Sequence, residues 1–420
     1  MKKLGKPVPE FLKRAEKYAR VFMENETVFN IDFSDTKIAF ELKSDKQLKK
    51  AGWLFRLMNK QWLVELGSSL GLAAINLRLP FVEDLVKHTI FEQFCGGTTL
   101  LESTKTIDQL FNKKVLTVLD YGAEAKEKEA DFNHTMKEAI RAIEFAERTE
   151  AVPVISAKIT GMARFGLLES VQKGEPFTKE TRAEYKIVLK RLDAICHVAA
   201  QRKAGVFFDA EESWIQDSID HLVTVMMRRY NRDRVVVYNT FQLYRKDKLQ
   251  FLFDSYNLAK QGGYLLGAKL VRGAYLDKEN DRAVEMGYAS PIQENKAATD
   301  DAFDTAIRFC VDHYEDLASC NASHNQKSIL LQAQLIHKKS IIKNHAHLNF
   351  CQLYGMSDHL TFNLSKEGFN VAKYMPYGPV KEVIPYLIRR AEENSAVTGD
   401  MGREYELVVN ELKRRGLRLS

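Results

Sequence analysis

Residues 115–160 read VLTVLDYGAEAKEKEADFNHTMKEAIRAIEFAERTEAVPVISAKIT. A run rich in Val and Leu ends on Asp120, and a second β-rich run, 153–160, ends on Thr160. The charged stretch between them repeats apolar residues at three- and four-residue spacing, the period of an amphipathic helix. Two β-rich runs joined by a helical crossover make a parallel βαβ unit. Moving outward, the alternation continues down the chain. Further runs lie at 205–209, 234–242, 264–272, 318–324, 348–353 and 371–376, and a last amphipathic stretch covers 380–394. Eight β/α units in roughly 280 residues match a closed (β/α)8 barrel of TIM type, whose functional residues sit at the C-terminal ends of its strands. An open doubly wound sheet would carry G-x-G-x-x-G after a strand, and neither that motif nor G-x-x-x-x-G-K occurs.

Upstream, residues 1–112 read as helical, with apolar residues at helical spacing over 46–69 and 72–94 and a break at Gly96-Gly97. The expected organisation is a helical region at 1–112, a barrel at 113–400 and a helical tail at 401–420. At 45% hydrophobic and 28% charged, the 420 residues have the composition of a soluble globular chain with room for a large core. The net charge of +6 is mildly basic, without the gathered stripe or module that nucleic-acid binding requires. Five scattered cysteines with no C-x-x-C pair point to a reducing compartment. Glu10 and Arg14 interrupt any signal-peptide core, and Glu65, Arg78, Glu83 and Asp84 keep 62–86 from spanning a bilayer. That stretch can still lie on a lipid surface. So can the basic ends, Lys2, Lys3, Lys6 and Lys413, Arg414, Arg415, Arg418, whose ordinary role is to be solvated.

Polar residues gather at the strand ends. Lys158 lies in an apolar run, where an unpaired ammonium costs several kcal/mol, so it needs a partner or a ligand. Asp209 closes the third run, and a Lys158–Asp209 pair satisfies both, as a site or as a plain structural ion pair. In the last helical stretch, Tyr386, Arg389, Arg390 and Glu393 share one face. Two adjacent guanidiniums above a barrel mouth suit a carboxylate; on a surface helix they are a solvated face. Tyr374 ends the eighth run nearby. The fifth run holds Lys269 and Arg272 before Gly273-Ala274, cations suited to phosphate beside small residues that let a flat ligand approach the backbone. The sixth run ends Ser323-His324-Asn325, and the fourth offers Asn239, Thr240 and Gln242.

These residues resemble the proline dehydrogenase family. The resemblance rests on Asp-Ala-Glu-Glu (209–212), Lys-Leu-Val-Arg-Gly-Ala-Tyr (269–275), Ser-His-Asn (323–325), Leu-x-Gly-Met (353–356) and Tyr-Leu-Ile-Arg-Arg-x-x-Glu-Asn (386–394), in that order. It covers roughly 115–400, and the helical N-terminal part is similar to the monofunctional branch. The family implies FAD across the mouth of the barrel, L-proline as substrate, Δ1-pyrroline-5-carboxylate as product and a membrane quinone as electron acceptor. By motif position, Arg389 and Arg390 hold the proline carboxylate with help from Lys158, and Asp209 braces the lysine. Tyr374, Tyr386, Ala274 and Leu353 wall the ring. Gln242, Arg272, Gly273, His324, Asn325 and Glu393 fall to the cofactor. Lys269 matches a family arginine at the FAD diphosphate, and the change to lysine keeps the charge but loses the bidentate fork. Glu124 is expected to pair with Arg389 as a gate.

The resemblance further implies peripheral contact with an inner membrane from the cytoplasm, or a mitochondrial matrix location in a eukaryote, with pyrroline-5-carboxylate dehydrogenase as a separate downstream protein. Hydroxyproline oxidation on the same fold is the near rival, and a tyrosine at 374 leaves less room for a ring hydroxyl. A non-catalytic flavin-binding sensor would have lost the lysine, aspartate, tyrosines and arginines that remain here. His345-Ala346-His347 resembles the HxH of metal-dependent barrel hydrolases but precedes a strand, so no metal is expected.

Overall fold

The computed structural model describes residues 29–60, 82–122, 126–396 and 400–419. Eight parallel strands close into a barrel in chain order: β1 Leu116–Tyr121, β2 Val154–Lys158, β3 Gly205–Asp209, β4 Val237–Gln242, β5 Leu266–Val271, β6 Leu317–Ala322, β7 Leu348–Leu353 and β8 Val371–Tyr377. The ring is sealed where β8 pairs with β1, from Leu116 against Ala372 to Tyr121 against Tyr377. The expected barrel and its eight runs are therefore present; two runs, 205–209 and 348–353, match their strands, and the others shift by one to three residues at an end. The largest shift is in the fourth run, whose strand starts at Val237 rather than 234, and in the second run 159–161 leaves the sheet as a 3-10 turn.

Alternation along each strand sorts the side chains. In β3, Val206 and Phe208 face the helical layer, while Phe207 packs inside the barrel with Val118, Tyr238 and Tyr374. The same parity puts Ser156 and Lys158 of β2, Asp209 of β3 and Lys269 of β5 on the inner side, and their neighbours Ile155, Ala157, Phe208, Ala268 and Leu270 in the outer core. Strand parity thus carries a set of polar groups to the mouth of an otherwise apolar barrel.

The N-terminal helix Asp45–Met58 starts with a capping box, Ser44 and Gln47 each satisfying the other's backbone. It packs on the terminal helix Asp400–Arg414 with Gly52 at the contact, where a Cβ would lie 3.1 Å from Val408 of that helix and 2.8 Å from the Leu419 side chain beyond it. Leu48, Ala51 and Phe55 share one apolar cluster with Val380, Tyr386 and Leu387 of the last barrel helix, Val380–Ala396, and with Val408 and Leu412. The helix Asp45–Met58 and the terminal helix thus share one apolar cluster with the helix that carries the arginine pair. The amphipathic stretches end at Met58 on one side and resume as Val82–Val86, a π turn Lys87–Phe91 and Glu92–Phe94 on the other; 61–81 lies outside the described residues. Among the described residues, no helix is long and apolar enough to cross a membrane.

Candidate active site

A cavity of about 620 Å³ opens at the C-terminal ends of the strands and is lined by residues from β2 to β8, the last barrel helix and the terminal helix. That is the size range of cofactor and small-molecule sites. Its floor is a buried polar group centred on Asp209. The Asp209 carboxylate accepts from Lys269 Nζ at 2.5 Å, the Tyr374 hydroxyl at 2.7 Å and Ser156 Oγ at 3.0 Å. Lys269 is also sandwiched by rings, 4.6 Å from the centre of Tyr374 and 5.5 Å from that of Phe207. Burial raises the Asp209 carboxyl, but Lys269 and Lys158 outweigh it and hold the group below the usual carboxylate range. Beside it, burial lifts Asp120 to about 7 against the pull of Lys158.

This arrangement corrects two expectations. Lys158 stands in register with Asp209 on the neighbouring strand, yet the direct partners of Asp209 are Lys269, Tyr374 and Ser156. Lys158 acts on the carboxylate through space, and the direct ion pair instead crosses the barrel interior from β5. Lys269, expected at the cofactor diphosphate, has its ammonium held in this interior pair and is only 6% exposed.

On the opposite wall, Arg389 and Arg390 project from the last barrel helix into the same cavity, with Arg389 over Tyr275 at 5.9 Å and Arg390 over Tyr386 at 5.5 Å. Ala274, Leu353, Tyr374 and Tyr386 line the same cavity as the two arginines. Glu124 lies outside the described residues, as does the side chain of Glu393.

The remaining wall carries the residues expected at the cofactor. Gln242 donates to the Glu211 carbonyl at 3.0 Å, while its own Oε1 is buried with no partner among the described residues. Arg272 is spent on scaffolding, bonding Asp300 at 2.7 Å, Ser323 at 2.6 Å and Ser328 at 3.0 Å. Gly273, at φ +145°, leaves no space for a side chain, because a Cβ would meet the Tyr244 ring at 2.4 Å. Asn325 caps the helix Gln326–Lys338 through the amides of Lys327 and Ser328, so that helix N-terminus borders the cavity. His324 bonds Ser357 Oγ through Nδ1 at 2.8 Å, and burial together with Lys373, Arg390 and Arg403 holds its ring well below the usual range, hence neutral.

Sequence reading missed Ser156, Asp120, Lys296, Ser357, Arg403 and Glu404. Ser156 shares the inward parity of Lys158, a usable signal. Arg403 and Glu404 sit in a charged amphipathic helix, where nothing in the pattern marks them. His345 and His347 stand before β7, at the end of the barrel away from the cavity, and no metal-holding group of His, Cys, Asp or Glu is found among the described residues.

The lining fits a large anionic cofactor. Among the described residues lining the cavity, the cations Lys158, Lys269, Arg272, Lys296, Lys327, Arg389, Arg390 and Arg403 outnumber the acids Asp209 and Asp300. A helix N-terminus adds further positive potential for a diphosphate, and the orphan Gln242 oxygen is matched to an N–H donor.

Comparison with known proteins agrees. A family model described as proline dehydrogenase matches residues 103–403. The carbapenem antibiotics biosynthesis protein CarD of Pectobacterium carotovorum is 32% identical over 77% of this chain and 83% of its own length. Mitochondrial proline dehydrogenase 2 of Arabidopsis thaliana is 29% identical over 92% of this chain and 91% of its own. Proline dehydrogenase 1 of Drosophila melanogaster is 35% identical, with the match spanning 56% of this chain and 36% of the relative. Among solved structures, proline utilization A from Bdellovibrio bacteriovorus superposes with a TM-score of 0.68 at 19% identity, over 95% of this chain and 43% of that one, a likeness of fold. The chain belongs to the proline dehydrogenase family, whose members are FAD-dependent oxidoreductases.

Proposed function

We propose that this chain oxidises L-proline to Δ1-pyrroline-5-carboxylate and passes the electrons to a membrane quinone. The observation that carries the reading is the pair Arg389–Arg390 set across one cavity from Lys158 and the Asp209 group. Two adjacent guanidiniums and an ammonium take up a carboxylate through charge-assisted hydrogen bonds. Tyr374, Tyr386, Leu353 and Ala274 then confine an apolar five-membered ring between the arginine helix and the barrel floor. Holding the substrate at both ends removes orientational freedom, which lowers a barrier by several kcal/mol. Asp209 acts one step back, fixing the Tyr374 hydroxyl and the Lys269 ammonium. FAD, when bound, supplies the hydride acceptor. Gln242, His324, Lys296 and Lys327 are the residues placed to hold it.

The test is the absorption spectrum of the purified, FAD-reconstituted protein before and after anaerobic L-proline, with trans-4-hydroxy-L-proline alongside. Bleaching by proline supports the reading. Bleaching by the hydroxylated ring alone moves the substrate, and a flavin that neither reduces leaves a non-catalytic binder. The Tyr374 ring against the floor favours the unsubstituted substrate.

The quinone reading rests on the family and on exposed apolar side chains such as Trp53, Leu85 and Leu101 in the N-terminal helical part, which suit a lipid surface. Sedimentation with anionic vesicles checks it. The likeness to CarD favours a second reading of the enzyme's place, the same oxidation serving a biosynthetic route instead of proline breakdown. Restored growth on proline in a strain lacking proline dehydrogenase supports breakdown.

A further inference from the structure

Behind the cavity wall, two consecutive residues of the terminal helix reach the same pocket residue by separate routes. Arg403 Nη2 donates to the main-chain carbonyl of His324 at 3.2 Å. Glu404 Oε1 accepts from the Ser357 amide at 3.0 Å and from Ser357 Oγ at 3.3 Å, and that same Oγ lies 2.8 Å from His324 Nδ1. Ser357 is fully buried and held at φ +50°, a conformation non-glycine residues adopt at a cost, so the contact to Glu404 is retained against backbone strain. The family match ends at residue 403, one position before Glu404.

With Glu404 ionised, above about pH 7, the chain of donors has one consistent direction. A hydroxyl has a single proton, and a carboxylate only accepts. With Ser357 Oγ–H donated to Glu404, the short contact to the imidazole requires His324 Nδ1–H to donate to Oγ. The ring is neutral, so its second nitrogen carries a lone pair. Among the described residues Nε2 makes no hydrogen bond, and His324 lines the cavity. The pocket therefore meets an acceptor, matched to a hydroxyl or N–H of a ligand rather than to a phosphate oxygen.

We infer that Glu404 and Ser357 are positioning residues that fix the tautomer of His324 and present its Nε2 as a hydrogen-bond acceptor to a hydroxyl or N–H group of the bound cofactor. The inference rests on the reading of this cavity as the FAD site, and the relay itself can be measured without FAD. Ten histidines are few enough for selective labelling. In the full chain labelled with ¹⁵N-histidine, two-bond ¹H–¹⁵N spectra distinguish Nδ1–H from Nε2–H rings, and His324→Asn identifies the signal. At pH 8, where Glu404 is ionised, the expected wild-type pattern is Nδ1–H. Glu404→Ala and Ser357→Ala should each shift it towards a mixture, and Glu404→Gln, whose amide oxygen still accepts from Ser357, should restore it. FAD affinity, read by fluorescence quenching, should fall about fivefold in both alanine variants, the loss of one neutral hydrogen bond, and recover in Glu404→Gln. An Nε2–H or imidazolium ring in the wild type overturns the relay, as does an unchanged His324 signal in both alanine variants. If the wild type shows the Nδ1–H pattern but binds no FAD, the cofactor reading has failed and the relay has not. If FAD binds and the alanine variants lose the tautomer without losing affinity, the contact between Nε2 and the cofactor is refuted.

Discussion

Asp209, Lys269, Tyr374 and Ser156 form one buried polar group beside the cavity; Lys373, Asp358, Ser357 and Glu404 form another a few residues further along the sheet. Both bury a lysine against an aspartate, at 2.5 Å in the first and 2.8 Å in the second. Their construction differs. The first is assembled from strand residues that point into the barrel, and Lys269, Asp209 and Tyr374 all line the cavity. The second faces away from the barrel axis. Lys373 also bonds the Met356 carbonyl, Asp358 reaches Lys43 at 3.5 Å near the N-terminal helix, and Glu404 comes from the terminal helix. One group lines the cavity, and the other ties Lys43 and the terminal helix to its wall.

The largest expected effects fall where a buried charge loses its partner. Asp209→Ala strands Lys269 and Asp358→Ala strands Lys373, which is 1% exposed, so each should cost about 3–5 kcal/mol of unfolding free energy in a urea titration. The two variants should part company in function. Asp209→Ala releases Tyr374 and should also depress turnover of the folded fraction, whereas Asp358→Ala should leave the Michaelis constant for proline near the wild-type value. Equal kinetic damage in both would erase the distinction between the groups.

Arg390→Met tests which side of the comparison the clamp belongs to. It removes a charged donor set from the carboxylate site and should raise the Michaelis constant for proline about a hundredfold, with a smaller fall in kcat. The reverse split, with kcat falling and the Michaelis constant unmoved, would place Arg390 with the reacting atoms rather than with substrate binding.

How legible each group was follows from its construction. Eight short β-rich runs alternating with amphipathic stretches gave the barrel. Lys158, Asp209 and Tyr374 stood out because a polar side chain inside such a run must find a partner or a ligand to be tolerated there. The partner of Asp209 was misjudged because adjacency in register is visible in sequence, whereas a lysine reaching across a closed barrel is not. The second group was invisible. Lys43 and Glu404 lie in or beside amphipathic helices whose charges look like any solvated face, and only the docking of the chain ends against each other buries them.

Acidity offers a finer probe of the same contrast. Burial raises Asp120 of the first region from 3.8, and Glu404 of the second from 4.5, each to about 7. Glu404 faces Arg403 and Lys373, which lower it, and Asp358, which raises it, with His359 at 3.9 Å. A carboxyl raised in the folded state binds its proton more tightly there. Its contribution to stability is complete below the unfolded value and is lost as pH rises through 7. Urea midpoints should therefore fall between pH 5 and pH 8. Asp120→Asn and Glu404→Gln should each flatten that slope, and a variant that keeps the full slope identifies a group that does not titrate in this window.

The smallest expected change in stability comes from Ser357→Gly, which separates positioning from packing. Glycine adopts φ +50° freely, which recovers about 1 kcal/mol of strain, while loss of the hydroxyl removes hydrogen bonds worth a similar amount. The urea midpoint should barely move. FAD affinity should nonetheless drop about as much as in Ser357→Ala, roughly fivefold, because the glycine keeps the backbone and lacks only the link to His324. Retained affinity at unchanged stability would mean that Ser357 serves the turn alone. Lost affinity at unchanged stability would show that Glu404 acts on the pocket through this hydroxyl.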